Sequence, residues 1–259
     1  MNEPKPTPKH ILFLFSDTGG GHRSAAEAIT EALALEYGEQ VTTELLDFIK
    51  EYAPHPLNQM PAWYPYMVRV PDLWGVNYQL SDGWRRTRAV LNVAYPYTYR
   101  ALNRMKQEHT ADLIVSVHPL ATSQILRALG KPRPLFATVV TDLVTTHAFW
   151  YEPEVDLCIV PTEGAKRRAL KYRVPESKIR VVGLPVADRF CQSVQDKQAL
   201  RQEGFQTASL DVSVADRRSG RDAAFGPPEA GPVRRVSEQF DRAVPVVLDL
   251  GSGLVNVYA

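Results

Sequence analysis

The chain has 259 residues, 44% of them hydrophobic and 23% charged, with a net charge of +1. These values exclude a disordered chain, a collagen and a multi-span membrane protein. The near-neutral balance supplies no overall field to attract nucleic acid, which is not expected as a partner. Two cysteines, Cys158 and Cys191, are too few for a disulfide framework and point to a reducing compartment. Residues 1–10 are not a signal peptide, because the apolar run 11–15 is too short for the apolar core of one. No stretch approaches the ~18 apolar residues of a membrane span. A cytoplasmic protein, peripherally associated with a membrane surface, is the expectation.

After a tail over residues 1–9, the run HILFLFSD at 10–17 predicts a buried strand. Thr18-Gly19-Gly20-Gly21 is a sharp loop. From His22 a helical face follows with Ala25, Ala26, Ile29, Leu33 and Ala34, and Gly38 is its stop. Residues 41–48 predict a second strand, which makes a β-loop-α-β opening of the kind that starts a parallel sheet. The regular pattern then breaks. Residues 53–104 hold six prolines and three of the four tryptophans, and predict an insertion of short helices and loops. Strands follow at 112–117, 135–141, 155–160 and 179–183, with helices at 119–129 and 163–172. The fold class is therefore α/β: a Rossmann-like sheet of about six strands, mostly parallel, with helices on both faces over residues 10–203. After Lys197 there is no further lysine, and residues 211–243 show neither helical nor strand periodicity. Residues 204–259 read either as a disordered tail or as a truncated or out-of-frame remnant of a second domain, and the second is preferred. Within them 244–250 predict one last strand, without a partner.

The run Ser16-Asp17-Thr18-Gly19-Gly20-Gly21-His22-Arg23 is the most informative. Glycines between a strand and a helix allow a tight turn and a close approach to a ligand. The free N–H groups and positive dipole end of the helix favour phosphate. The run is neither a Walker A loop nor G-x-G-x-x-G. His22 stands at the first helical position, where the dipole disfavours imidazolium, so a neutral imidazole able to take a proton from a hydroxyl is expected. A tight turn with a structural histidine is the plainer alternative.

SDTGGGHR followed by SAAEAI resembles the N-terminal signature of the monogalactosyldiacylglycerol synthase and processive diacylglycerol glucosyltransferase family of GT-B glycosyltransferases. Three later runs agree in order and spacing: Val115-Ser116-Val117-His118-Pro119; Thr138-Val139-Val140-Thr141-Asp142 with His147 and Trp150; and Val182-Gly183-Leu184-Pro185-Val186. The resemblance implies the acceptor-binding N-terminal half of a two-domain fold, no metal and no cofactor. The partners it implies are diacylglycerol as acceptor and UDP-glucose or UDP-galactose as donor. It implies that His22 is the general base, that Thr18, Gly19, Gly20 and Gly21 lie near the diphosphate, and that the reaction inverts the anomeric carbon. No donor-binding motif follows Gly253, so little transferase activity is expected of the chain by itself. A non-catalytic lipid-binding module and a transferase for a polyprenyl-linked acceptor are the alternatives.

Asp142 and His147 fall just past a predicted strand, where ligands bind in open α/β sheets. Asp142 would orient His22 or accept from the acceptor hydroxyl, or else cap a loop. The family often has proline after the histidine of this motif, and here Ala148 follows His147. His118 lines the same cleft or starts a helix. In the insertion Trp63, Tyr64, Tyr66, Trp74, Tyr78 and Trp84 are interleaved with Arg69, Arg85, Arg86, Arg88, Arg100 and Arg104, a mixture suited to contact with an anionic membrane or to the core of an irregular subdomain. Lys166, Arg167, Arg168, Lys171 and Arg173 predict a solvated basic helix face. Cys158 is expected as a small buried hydrophobe, and Cys191 has no assigned role.

Overall fold

The computed structural model describes residues 7–18, 20–67, 69, 71–143, 145–191, 246–249 and 254–257. The side chains of 67, 71–74, 77, 189, 191 and of the last two segments lie outside that description. Strand β1 (Lys9–Phe15) leads through the glycine loop into helix α1 (Gly21–Tyr37), and β2 (Val41–Asp47) returns beside β1. Then come α2 (Phe48–Tyr52), α3 (Met60–Met67), α4 (Pro71–Ser81) and α5 (Trp84–Glu108). The alternation resumes with β3 (Leu113–Ser116), α6 (Pro119–Leu129), β4 (Leu135–Val139), β5 (Leu157–Val160), α7 (Glu163–Lys171), β6 (Ile179–Val181) and α8 (Asp188–Cys191).

The six strands form one sheet in the order β2-β1-β3-β4-β5-β6, and every pairing is parallel. Both faces are covered, so the central strands are mostly apolar, and residues 11–15 are all buried. Alternate side chains serve opposite cores. Ile11, Phe13 and Phe15 pack with Ala26, Ile29 and Leu33 of α1, while Leu12 and Leu14 face Ile125, Phe136 and Trp150 on the other side. Ala34, expected on the buried face of α1, is exposed, and Ala28 is buried instead. Gly38 ends the helix with φ of 51°, a left-handed conformation that glycine adopts without strain.

The insertion is more regular than its prolines suggest. Pro71 opens α4 and Pro61 is the second residue of α3, in first turns that need no proline N–H. The short helices expected there are α3 and α4, and the departure is α5, 25 residues long, which carries Pro96 in its interior. Pro96 and Asn92, four residues earlier, are exposed, so water can satisfy the carbonyl that proline leaves unpaired.

Of the stretch 204–259, only β7 (Val246–Asp249) and β8 (Leu254–Val257) are described, as an antiparallel pair with Val246 opposite Val257. The strand expected over 244–250 therefore has a partner, supplied by the residues that follow Gly253. The tail reading for the rest of that stretch lies outside the described residues.

Candidate active site

In a sheet that runs 2-1-3, the connections from β1 and β3 leave toward opposite faces. The crevice between their C-terminal ends is where ligands bind in open α/β sheets. His22 follows β1, His118 follows β3 and Asp142 follows β4, so all three stand at that edge. Together with Thr18, Met60, Tyr64, Tyr78, Ser81, Leu120, His147 and Phe149 they line a cleft of about 270 Å³.

His22 is the second residue of α1, one later than expected, and is half-buried. Its Nδ1 lies 3.0 Å from Thr141 Oγ1. Its ring meets His118 edge-on at 4.6 Å and tilts against Trp150 at 5.8 Å. Burial pushes its pKa below the ordinary histidine value, while the Asp142 charge and the Val117 carbonyl pull the other way. The imidazole is thus neutral at pH 7, as the sequence led one to expect. Gly20, at φ of 78°, caps α1 without any side-chain hydrogen bond, and space for a Cβ is open at Gly20 and Gly21. The first N–H groups of the helix are therefore uncapped by side chains beside the cleft. Gly19 lies outside the described residues. Asp17 takes a bidentate pair from Arg23 at 2.7 and 2.5 Å, and the Arg23 hydrogen bond holds its carboxyl below the usual range.

His118 takes both of the roles weighed for it. It caps α6, with Nδ1 accepting from Leu120 N at 3.3 Å, and it lines the cleft, with Nε2 3.0 Å from Thr18 Oγ1. It is buried, and burial, with His22 second, holds its pKa well below the ordinary value. Ser116 and Thr122, both 0% exposed, brace it: Ser116 Oγ donates to the His118 carbonyl at 3.1 Å and Thr122 Oγ1 donates to Ser116 Oγ at 3.2 Å.

Asp142 accepts from Trp150 Nε1 at 2.7 Å. The side-chain partner of His22 is thus Thr141, and Asp142 acts on His22 through its charge. His147 is buried. Its Nδ1 accepts from Phe149 N at 3.1 Å, its Nε2 lies 3.1 Å from Ser81 Oγ, and Phe149 stacks on its ring at 4.5 Å. Burial lowers its pKa, chiefly against the charge of Asp82.

Asp82, which the sequence did not single out, fixes this wall. It accepts from Ala148 N at 2.9 Å, from Arg168 Nη2 at 3.0 and 2.9 Å, and from Tyr172 OH at 3.2 Å. Arg168 is therefore not part of a solvated basic face, because it joins α7 to the corner between α4 and α5. No local pattern marks Asp82. Its partners lie 66 to 90 residues away.

The aromatic and cationic residues of the insertion divide. Trp63 and Tyr66 are exposed, as are Arg85 and Arg86. Tyr64 instead lines the cleft, and Trp84 packs half-buried against the core, with Arg88 at 4.4 Å and Arg173 at 5.3 Å over its ring. Arg88 also lies 3.8 Å from Glu152. A large ring at the start of α5 loses more water-exposed area by packing inward than a surface position would allow. The side chain of Trp74 lies outside the described residues. The sequence did not foresee that Val76, Leu80, Val93 and Tyr97 join Trp63 and Tyr66 as exposed apolar residues of α3 to α5. Cys158 is buried, which pushes its thiol up to about 12, and the side chain of Cys191 lies outside the described residues. Among the described residues no helix is long and apolar enough to cross a membrane.

A second, apolar space adjoins the cleft. A groove of about 150 Å³ between α2, α3, α5 and α6 shares Met60, Leu120 and Phe149 with it. Fold and site together define a Rossmann-like α/β unit of the kind that forms the N-terminal half of a GT-B glycosyltransferase, with its cleft at the switch point between β1 and β3.

The sequence model of the family described as monogalactosyldiacylglycerol (MGDG) synthase matches residues 22–186, from the histidine of the glycine loop to the VGLPV run. The chain belongs to that family. It is 36% identical over 239 residues to the probable monogalactosyldiacylglycerol synthase 2, chloroplastic, of Oryza sativa subsp. indica, covering 90% of this chain and 50% of that protein. It is 38% identical over 200 residues to the monogalactosyldiacylglycerol synthase 2, chloroplastic, of Arabidopsis thaliana, covering 75% of this chain and 42% of that protein. To the enzyme of Spinacia oleracea it is 37% identical over 205 residues, covering 78% and 39%. The chain thus spans half or less of these relatives. Their names also correct one expectation: the relatives are named chloroplastic, against the cytoplasmic location expected above. Cysteine count and hydropathy report redox state and spanning segments, and neither separates one organelle from another.

Proposed function

We propose that this chain forms the acceptor-binding half of a hexosyltransferase that moves galactose from UDP-galactose to diacylglycerol, with His22 as general base. The observation that carries this reading is that the apolar groove lies directly beside the histidine cleft, the two sharing Met60, Leu120 and Phe149 in their walls. One amphiphile can then place a hydroxyl beside His22 and an acyl chain between α2 and α5. The relatives' names supply the acceptor and the sugar.

In the reaction His22 takes the proton of the sn-3 hydroxyl as that oxygen attacks the anomeric carbon. The new C–O bond forms as the bond to the UDP phosphate breaks, and the sugar inverts. A neutral imidazole is required at the outset, and burial supplies it. Thr141 beside Nδ1 holds the ring in place, and the Asp142 charge stabilises the imidazolium as it forms. The uncapped N–H groups of α1 face the charge that develops on the leaving diphosphate. The exposed Trp63, Tyr66, Val76, Leu80, Val93 and Tyr97 suit contact with the lipid surface from which the acceptor comes, and the cations Arg85 and Arg86 suit its anionic headgroups.

The test is transfer of labelled galactose from UDP-galactose to diacylglycerol by the chain supplemented with the donor-binding half of a family relative, and by His22→Gln in the same mixture. Loss of a general base lowers the rate about 10²- to 10⁴-fold. Transfer that survives the substitution within a factor of ten would sink the assignment. The lipid-binding module without catalysis rests on the same groove, and predicts diacylglycerol binding with no transfer by either form.

A further inference from the structure

This inference rests on the acceptor reading above and concerns how the groove ends. Past the groove lies a third cavity of about 580 Å³, lined by polar and charged groups that include Arg88, Asn92, Arg127, Lys131 and Glu152. Groove and cavity meet at two residues, Leu91 of α5 and Gln124 of α6. Leu120, at the mouth shared with the cleft, is one helical turn before Gln124 on α6. Gln124 is 8% exposed, and its Nε2 donates to the Leu91 carbonyl at 2.9 Å. A hydrogen bond thus bolts α6 to α5 where the apolar space gives way to a charged one.

This arrangement has a consequence for a chain entering from the cleft. The groove wall on α5 is made of Ala94, Thr98, Ala101 and Leu102, small or apolar residues that leave room, and Gln124 with Leu91 borders it on the side of the charged cavity. Each methylene buried there strengthens binding about fourfold, the equivalent of ~0.8 kcal/mol. At Gln124 the gain stops. To go further the chain must break an amide hydrogen bond that has no replacement, and beyond it lie arginines and water. We propose that Gln124, held by the Leu91 carbonyl, is the stop that sets how long an acyl chain the acceptor site accommodates, and so determines chain-length specificity.

The test uses the 259-residue chain and 1-acyl-2-acetylglycerols of graded acyl length, kept below their aggregation concentrations. Each displaces a fluorescent diacylglycerol analogue. For the wild type, affinity climbs about fourfold per methylene and then breaks to a plateau at one length. Gln124→Ala moves the break to longer chains. Gln124→Leu keeps the bulk but loses the hydrogen bond that holds it, and moves the break in the same direction by less. Ala94→Phe fills the groove and moves it to shorter chains. Melting curves confirm that each variant is folded, and the opposite shifts of Q124A and A94F cannot both come from destabilisation. A break at the same length in wild type, Q124A and A94F overturns the inference and leaves the acceptor reading standing. A folded wild type that binds no acylglycerol of any length overturns the acceptor reading, and the inference with it.

Discussion

Asp82→Ala tests the claim that one carboxylate holds the histidine wall of the cleft. The carboxylate receives four hydrogen bonds from three residues: two from Arg168, one from Ala148 N and one from Tyr172 OH. Both ionic partners are mostly buried, at 21% and 26% side-chain exposure. Removing Asp82 leaves the Ala148 N–H, on a residue 3% exposed, without its partner, a loss of about 1–3 kcal/mol. It also leaves the Arg168 guanidinium, whose Nε already has no partner, without its counter-charge, a loss of about 1.5–3 kcal/mol for charged hydrogen bonds. Residual solvent access places the total toward the lower end, about 3 kcal/mol, which corresponds to a fall in Tm of roughly 6–12 °C for a unit of this size. Asp82→Asn keeps an acceptor for Ala148 N and loses about 1 kcal/mol. Urea unfolding followed by fluorescence reads the stability, and a cycle with Arg168→Ala isolates the pair. A coupling energy above about 0.5 kcal/mol is expected. A second readout belongs to the site. The Asp82 charge raises the His147 pKa while Arg168 lowers it, so in D82A the His147 titration moves further down, as followed by NMR. A D82A protein within about 0.5 kcal/mol of wild type, with additive double mutants and an unmoved His147, would refute the reasoning.

Trp150→Phe removes the indole N–H that Asp142 accepts, within a fully buried side chain, and lowers stability by about 2–3 kcal/mol in the same urea assay. Thr141→Val deprives His22 Nδ1 of its hydroxyl partner. The ¹⁵N shifts of His22 then report a changed tautomer balance, and kcat falls while KM for diacylglycerol stays within error. Stability depends on pH through the three cleft histidines, all lowered by burial. Because the unfolded chain binds protons near pH 6.5 that the folded chain refuses, stability is fully present above 6.5 and declines as pH falls from there toward the folded values. His118→Asn flattens this slope, and an unchanged slope in unfolding curves from pH 7 to pH 5 would contradict the burial argument.

Much of the fold was legible because its signals are local. Apolar runs bounded by polar residues marked all six parallel strands to within about two residues. Gly38 and Pro119 marked helix ends for reasons that concern a single residue's backbone. Helix α5 was hidden. Its proline count argued for breaks, whereas its helical period emerges only when Leu91, Ala94, Thr98, Ala101 and Leu102 are seen to face one groove. Likewise, period and composition made Arg168 a surface cation, and only the approach of α7 to the corner at Asp82 turned it inward.

The site follows the same division. The sequence by itself determined the glycine loop, a histidine at a helix start, and the place of His22, His118 and Asp142 after strands, because each depends on residues adjacent in the chain. The tertiary structure alone decided that His22 bonds to Thr141, 119 residues away, that Trp150 rather than His22 holds Asp142, and that Tyr64 lines the cleft while Tyr66 faces outward. It also decided that an apolar groove lies beside the cleft, with Gln124 of α6 bonded to the Leu91 carbonyl of α5 at its border. These are encounters between side chains brought together by strand order and helix packing, and no spacing along the chain encodes the distance between them.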